Sequence, residues 1–265
     1  MKRYAVVRNA SVDVRRHPSH RSELRSQLLM GEVVRILSVR GSGRWSRVEN
    51  KADGYRGWVR AWGLFPVTEA EAEAWSRSAR WRVARSHIEL RSGPGRGEIV
   101  GPLFWNSPVA EVGSSGAHVR LRLPDGTHGW TQRRNLRPAN RRAGRLEDIV
   151  GRFSGIPYLW GGRTPLGFDC SGFVQQVLAG VGVEVPRDAH QQFLVSRRSP
   201  AARSPRKGEL MFFGRRGGRM THVAIALGKG LFAHAQGTVH VNSLSPSNPL
   251  YDKRLAASLR SIGRP

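Results

Sequence analysis

Two periodicities divide the chain. Up to about residue 138, apolar and polar residues alternate in short runs broken by Gly, Pro, Asn or Asp-Gly. Alternation puts one set of side chains on a single face of a pleated strand, so this half reads as all-β with tight turns. From Gly144 the period lengthens: Leu146, Ile149, Val150 and Phe153 fall at i, i+3, i+4 and i+7, one face of a helix. Phe173, Val174, Val177 and Leu178 repeat a helical spacing that ends near Gly180–Gly182. Leu210–Phe213 then reads as a strand. His222–Leu227 and Leu231–Ala235 read as a hairpin turning at Gly228-Lys229-Gly230.

The first half carries one pattern twice. Val12-Asp13-Val14-Arg15-Arg16-His17-Pro18 aligns with Ile88-Glu89-Leu90-Arg91-Ser92-Gly93-Pro94 at an offset of 76, as Val33-Val34 does with Val109-Ala110. Trp45-Ser46-Arg47-Val48 aligns with His118-Val119-Arg120-Leu121 at 73, and Gly57-Trp58-Val59 with Gly129-Trp130-Thr131 at 72. An offset that shrinks only between segments is what a duplication with shortened loops leaves behind. Asp53-Gly54 and Asp125-Gly126 mark equivalent turns. Trp58 and Trp130 read equally as barrel-rim aromatics and as ligand contacts. Between the copies, Thr68 precedes an alternation of Glu and Ala from Glu69 to Ala74. Threonine caps a helix whose first-turn carboxylates suit its dipole, which predicts a helical linker. The expected organisation is therefore one small β barrel over 1–66, a linker over 67–80, a second barrel over 81–138 and an α+β domain over 141–265.

Composition narrows the classes. The chain of 265 residues carries 44 Lys+Arg against 19 Asp+Glu, a formal charge of +25. Only five of the basic residues are lysine. Such charge suggests a nucleic-acid binder, but the arginines are dispersed, with no run longer than two. A surface bias is the expectation, with no specific nucleic-acid partner. The longest apolar run, Val223–Leu227, has five residues, against the roughly 18 of a transmembrane helix; no membrane span is expected. Met1-Lys2-Arg3-Tyr4-Ala5-Val6-Val7 is too short an apolar stretch for a signal peptide. The expectation is a cytoplasmic protein, or an exported one if a leader has been removed. A single cysteine, Cys170, excludes an internal disulfide and a Cys-rich zinc site; no metal or cofactor is expected.

That cysteine follows the Gly-punctuated segment Gly155–Gly162 and opens the helix carrying Phe173 and Val177. A helix N-terminus stabilises a thiolate, lowers the thiol pKa and offers free amides to an oxyanion. Asp169-Cys170-Ser171-Gly172 is thus read as a nucleophile rather than an inert buried thiol. The hairpin centred on residue 229 puts Ala224 opposite His234, and so His222 diagonal to His234 on one face. A Cys170–His222–His234 triad is the preferred reading.

Two resemblances follow from these residues. The repeated V-R-x-x-P … G-x-x-V-x-V … W-x-x-V … G-W-V pattern resembles the SH3-like domains of bacterial cell-wall enzymes. Pro157-Tyr158-Leu159-Trp160-Gly161-Gly162, Phe168-Asp169-Cys170-Ser171-Gly172, Pro186-Arg187-Asp188 with Gln191, Gly208–Phe213, His222–Ile225 and His234-Ala235 resemble the NlpC/P60 family of peptidoglycan cysteine peptidases. Phe173 and Glu209 depart from the usual Leu and Asp.

The resemblance implies a papain-like α+β fold cleaving the amide between γ-D-glutamate and a diamino acid, either diaminopimelate or lysine, in stem peptides. Cys170 would be the nucleophile, His222 the base and later the acid, and His234 the group that orients His222. Tyr158 would sit near the oxyanion, and Asp169, Ser171, Arg187 and Asp188 would line the substrate side. With two SH3-like domains ahead, the chain resembles the γ-D-glutamyl-L-diamino acid endopeptidases of dipeptidyl-peptidase VI type. Its partners would be free L-Ala-γ-D-Glu-diamino acid peptides, recycled from murein. Glu23 would bind the free L-Ala ammonium by a charge-assisted hydrogen bond, with Tyr55 beside it. The alternatives are a wall-remodelling hydrolase on intact sacculi, a non-catalytic basic wall- or nucleic-acid-binding protein, and acyl transfer from the same thioester.

Overall fold

The computed structural model describes residues 2–198 and 204–265. Met1, where the leader reading begins, and 199–203, inside the expected third domain, lie outside them. The chain divides into two compact units, Met1–Ala143 and Gly144–Pro265.

In the first unit, alternation becomes sheet. β1 (Tyr4–Val7), β2 (Ser11–Arg15), β3 (Leu24–Leu29), β4 (Val33–Arg40), β5 (Trp45–Asn50), β6 (Arg56–Arg60) and β7 (Leu64–Val67) form one sheet in the order β3-β2-β6-β5-β4-β1-β7. β8 (Trp81–Val83), β9 (His87–Arg91), β10 (Ile99–Phe104), β11 (Pro108–Ser115), β12 (His118–Arg122), β13 (His128–Gln132) and β14 (Leu136–Pro138) form a second in the order β10-β9-β13-β12-β11-β8-β14. The two orders are identical once each number advances by seven, and matching residues pair: Arg15 faces Trp58, and Arg91 faces Trp130. Each sheet encloses its own core, Val12, Val14, Val34, Val48 and Val59 in one and Ile88, Leu90, Val109, Val119 and Leu121 in the other. Inward residues fall at every second position because successive strand side chains point to opposite faces.

α1 (Glu69–Ser78) lies between the repeats in sequence. Thr68 caps it with a reciprocal pair: the Glu71 amide donates to Thr68 Oγ1, and the Thr68 amide donates to the Glu71 carboxylate. The indole of buried Trp75 donates to the Gly31 carbonyl at 2.8 Å. Gly31 itself has φ +85°, and a Cβ there would stand 2.1 Å from the Pro108 carbonyl oxygen, so only glycine permits this approach of the two repeats.

The second unit is α+β. α2 (Leu146–Gly151) buries Leu146, Ile149 and Val150. The short pair β15 (Arg163–Thr164) and β16 (Gly167–Phe168) leads into α3 (Cys170–Gly180), and α4 (Ala189–Val195) follows. β17 (Arg197–Arg198), β18 (Leu210–Gly214), β19 (Met220–Gly228), β20 (Leu231–Gln236), β21 (Thr238–Ser243) and β22 (Leu259–Arg264) form an antiparallel sheet in the order β17-β22-β18-β19-β20-β21. α5 (Lys253–Ser258) lies between β21 and β22 in sequence. One sheet face, carrying Met211, Phe213, Ala224, Ala226 and Phe232, packs with Leu255 of α5. α3 packs against β19 and β20. Among the described residues no helix is long and apolar enough to cross a membrane.

Candidate active site

Cys170 is the first residue of α3, and Asp169 caps the helix by accepting from the Gly172 amide at 2.7 Å. The sequence Asp-Cys-Ser-Gly folds this way for a steric reason as well. A Cβ on Gly172 would stand 2.2 Å from the Gly162 carbonyl oxygen, so the Gly-Gly loop can cross the helix start only because position 172 has no side chain.

Asp169 holds this corner together. It accepts from the Gly161 amide at 3.0 Å, from Ser171 Oγ at 3.2 Å and, through both carboxylate oxygens, from Arg187 at 3.0 and 2.7 Å. Arg187 also donates to Ser171 Oγ and to the Gly162 carbonyl. Arg187 is 1% exposed, Ser171 5% and Asp169 8%. A buried guanidinium needs its donors satisfied, and those of Arg187 are taken up by Asp169, Ser171 and the Gly162 carbonyl. Asp188 is likewise a helix cap, sharing a reciprocal capping pair with Gln191 at the start of α4. These residues hold the ground on which Cys170 stands.

The hairpin register is the expected one. Ile225 pairs with Ala233 and Ala226 with Phe232, which sets Ala224 opposite His234, and a bulge lies near the turn. His222 and His234 therefore share the face of Ala224 and Phe232. Their rings meet with His222 Nε2 2.9 Å from His234 Nδ1. The amide of Val223, the residue after His222, hydrogen-bonds the Cys170 sulfur, as does the Ser171 amide. The backbone one position after His222 thus meets the Cys170 sulfur.

A fourth member escaped sequence reasoning. His234 Nε2 lies 2.8 Å from Asn242 Oδ1 on β21, and Asn242 Nδ2 donates to the Leu250 carbonyl at 3.2 Å. The signal was present but faint: Thr238, His240 and Asn242 alternate along one strand face, and His240 pairs directly across from His234.

These contacts assign the protons. Only the Asn242 amide nitrogen can donate to Leu250, so its oxygen faces His234 and accepts from Nε2–H. His234 Nδ1 is then bare and accepts from His222 Nε2–H. His222 is left with a bare Nδ1, the atom free to take a proton from a thiol.

Electrostatics correct one expectation. Burial pushes the Cys170 thiol up to about 12, with the Asp169 charge adding to it, and outweighs the two amides that pull it down. The helix terminus therefore does not leave a standing thiolate. Burial likewise pushes His222 down to about 3, with His234 and Arg254 acting in the same direction. His234 falls to about 4 for the same first reason, opposed by its bond to Asn242. Both shifts favour the neutral forms, thiol and imidazole.

Tyr158 is carried to the site by its loop, whose amide donates to the Gly237 carbonyl at 2.8 Å. It lines the same cavity as His222. Burial raises its hydroxyl pKa, with Cys170 and Asp169 adding to it, so it remains a donor. Glu23 and Tyr55 belong to the first unit. Glu23 is exposed, 3.7 Å from Arg16, and Tyr55 packs on the first repeat's core. Among the described residues no cluster of His, Cys, Asp or Glu could hold a metal.

The chain is similar to known proteins in sequence and in fold. Residues 155–260 match the NlpC/P60 family, and residues 14–64 match the bacterial dipeptidyl-peptidase Sh3 domain. The chain is 26% identical over 250 residues to a gamma-D-glutamyl-L-lysine dipeptidyl-peptidase of Bacillus subtilis, covering 89% of this chain and 81% of that one. It is 38% identical over 110 residues to dipeptidyl-peptidase 6 of Lysinibacillus sphaericus, covering 40% of this chain and 38% of that one. Its fold is shared with an NlpC/P60 family protein from Bacillus cereus, with a TM-score of 0.82 at 19% identity, over 98% of this chain and 99% of that one. Residues 155–260 are an NlpC/P60 domain, papain-like and of the cysteine peptidase class, preceded at residues 14–64 by a bacterial dipeptidyl-peptidase SH3 domain.

Proposed function

We propose that the protein hydrolyses the γ-D-glutamyl–diamino acid amide of peptidoglycan stem peptides, using Cys170, His222 and His234 as a triad and acting on peptides with a free N-terminal L-Ala. The observation that carries the chemistry is the Asn242–His234–His222 relay, ending on a strand whose Val223 amide bonds the sulfur of a cysteine at a helix N-terminus. Relatives named as γ-D-glutamyl-L-lysine dipeptidyl-peptidases support the bond, and a dipeptidyl-peptidase by its name counts from a free N-terminus. The identical strand order of residues 81–138 supports a second SH3-like domain there.

The reaction runs in two halves. As Cys170 Sγ attacks the γ-carbonyl carbon, its proton passes to His222 Nδ1. The new oxyanion is met by the Tyr158 hydroxyl. When the C–N bond breaks, His222 returns the proton to the leaving amine and a thioester remains. Water attacks that thioester, giving its proton to His222, and the thiol is restored. A neutral starting pair suits this course, because charge then develops only where the relay and donors can receive it.

The test is mass spectrometry of L-Ala-γ-D-Glu-diamino acid peptides, free and N-acetylated, digested by wild type and Cys170→Ala. Release of L-Ala-γ-D-Glu from the free peptide only, and only by wild type, is the expected result. Cleavage surviving Cys170→Ala would refute the nucleophile. Equal cleavage of blocked peptide or intact sacculi would point to wall remodelling instead.

A further inference from the structure

The duplication in the first unit supplies an internal comparison. A hollow of about 270 Å³ opens on the second repeat, lined by half-buried His118 of β12 and Trp130 and Gln132 of β13, with Gly93 and Gly95 of the β9–β10 loop. His118 pairs directly with Gln132, as Trp45 pairs with Arg60 in the first repeat, so the positions are equivalent. In the first repeat they are filled. Trp45 is 6% exposed, with the Arg60 guanidinium 5.2 Å from its ring centre and the His20 ring also at 5.2 Å. Indole, guanidinium and imidazole thus close on one another there. The second repeat has an imidazole and an amide at the paired positions and glycines in the loop. Gly95 has φ +74°, and a Cβ on it would stand 3.2 Å from the His118 ring, so glycine brings the loop close without filling the space.

The lining is polar but electrically balanced. Glu89 and Arg91 are its one acid and one arginine, and no lysine joins them. They pair with each other at 3.0 Å, and Arg91 also donates to the Gly97 carbonyl at 3.1 Å. In a chain of formal charge +25, an ionic ligand would find no free counter-charge here. Thr131 and Asn135 are also engaged, bonding to each other at 3.0 Å. The groups that make no hydrogen bond among the described residues are the Trp130 indole N–H, the Gln132 amide and the His118 imidazole. The first donates, whereas the amide and a neutral imidazole each donate and accept.

We propose that this hollow binds a neutral saccharide, with one pyranose ring lying against the Trp130 indole. A sugar hydroxyl donates and accepts at once, which matches unpaired groups of both kinds. The C–H face of the ring is apolar and covers an indole, whose polar edge keeps its N–H for a hydroxyl. The volume lies near the lower end for ligand cavities, as a single ring requires. This site is separate from the proposed peptidase chemistry and makes no use of it. The two repeats then differ in kind: the first closes this position with its own side chains, and the second keeps it for a ligand.

Titration of the full chain with cellobiose, N,N′-diacetylchitobiose and glucuronate tests the proposal. Saturation-transfer NMR on the sugar gives the affinity, and the Trp130 indole N–H signal, assigned with Trp130→Phe, gives the place. At least one neutral disaccharide should bind with Kd of about 0.1–10 mM, as expected for one ring in a shallow site. The affinity should not change between about 0.05 and 0.5 M salt, because no charges are paired. Trp130→Ala should weaken binding about tenfold or more. The double variant His118→Trp with Gln132→Arg, which installs the closed arrangement of the first repeat, should do the same with an unchanged melting temperature. Trp58→Ala, at the matching position of the first repeat, should keep the wild-type affinity. No saturable shift with either disaccharide up to about 50 mM, tighter binding of glucuronate that fades with salt, or binding retained by the double variant would overturn the proposal. None of these outcomes bears on Cys170 or its reaction.

Discussion

Asn242 Oδ1 accepts from His234 Nε2 at 2.8 Å, because the Asn242 amide nitrogen is turned to the Leu250 carbonyl. That one orientation sets the tautomer of His234 and, through the 2.9 Å contact between rings, that of His222. An asparagine two bonds removed from the base thus decides which imidazole nitrogen can receive the thiol proton.

Replacing Asn242 should therefore act on the rate and not on binding. Asn242→Leu, which keeps the bulk and loses the acceptor, is expected to lower kcat by roughly 10- to 100-fold with KM little changed. Asn242→Asp retains an acceptor and should recover most of that loss. It should also move the acid limb of the pH profile upward, because a carboxylate favours the His234 imidazolium. Steady-state kinetics on the free tripeptide checks all three points. Equal losses in Leu and Asp variants would mean that the position serves packing alone.

The pH dependence follows from burial. A thiol raised to about 12 has less thiolate at neutral pH than an ordinary cysteine, and a base lowered to about 3 stays neutral well below pH 6. Alkylation of Cys170 by iodoacetamide should be slower at pH 7 than that of free cysteine and should still be rising at pH 9. The acid limb of kcat/KM should fall well below the ordinary histidine range near 6.5. A reactivity plateau with a midpoint below 7 would instead reveal a thiolate–imidazolium pair.

Tyr158→Phe removes one hydroxyl from the cavity beside His222 and little else. Loss of an oxyanion donor costs about 100-fold in kcat or more. Because its pKa is raised, the wild-type phenol stays protonated and this contribution should not fade up to pH 9 or 10. A Phe variant with wild-type kcat would remove Tyr158 from the chemistry.

Arg187 makes a prediction about stability. Removing one partner of a buried, hydrogen-bonded ion pair strands the other, at a cost of about 3–5 kcal/mol. Arg187→Met should lower the melting temperature of the second unit by about 10 °C or more, followed by circular dichroism on the full chain. The double variant Arg187→Met with Asp169→Asn should recover part of that loss, since no uncompensated charge is left. A variant as stable as wild type would mean that the network carries no stabilisation.

Much of this was local information and was legible along the chain. The duplication, the Thr68-capped linker, the helix opening at Cys170 and the His222–His234 diagonal each follow from periodicity, turn residues and register over a few to a dozen positions, where backbone geometry allows few outcomes. What the tertiary structure decided involves residues that are partnered only by folding. Arg187 met Asp169 and the Gly162 carbonyl only when the chain wrapped around it. Cys170 looked like a thiolate because a helix terminus can be read from sequence, whereas the burial that overrides it cannot. Asn242 became part of the relay only when β21 paired beside β20. Helix caps and hairpin register are set by neighbours in sequence, but desolvation and charge are set by neighbours in space.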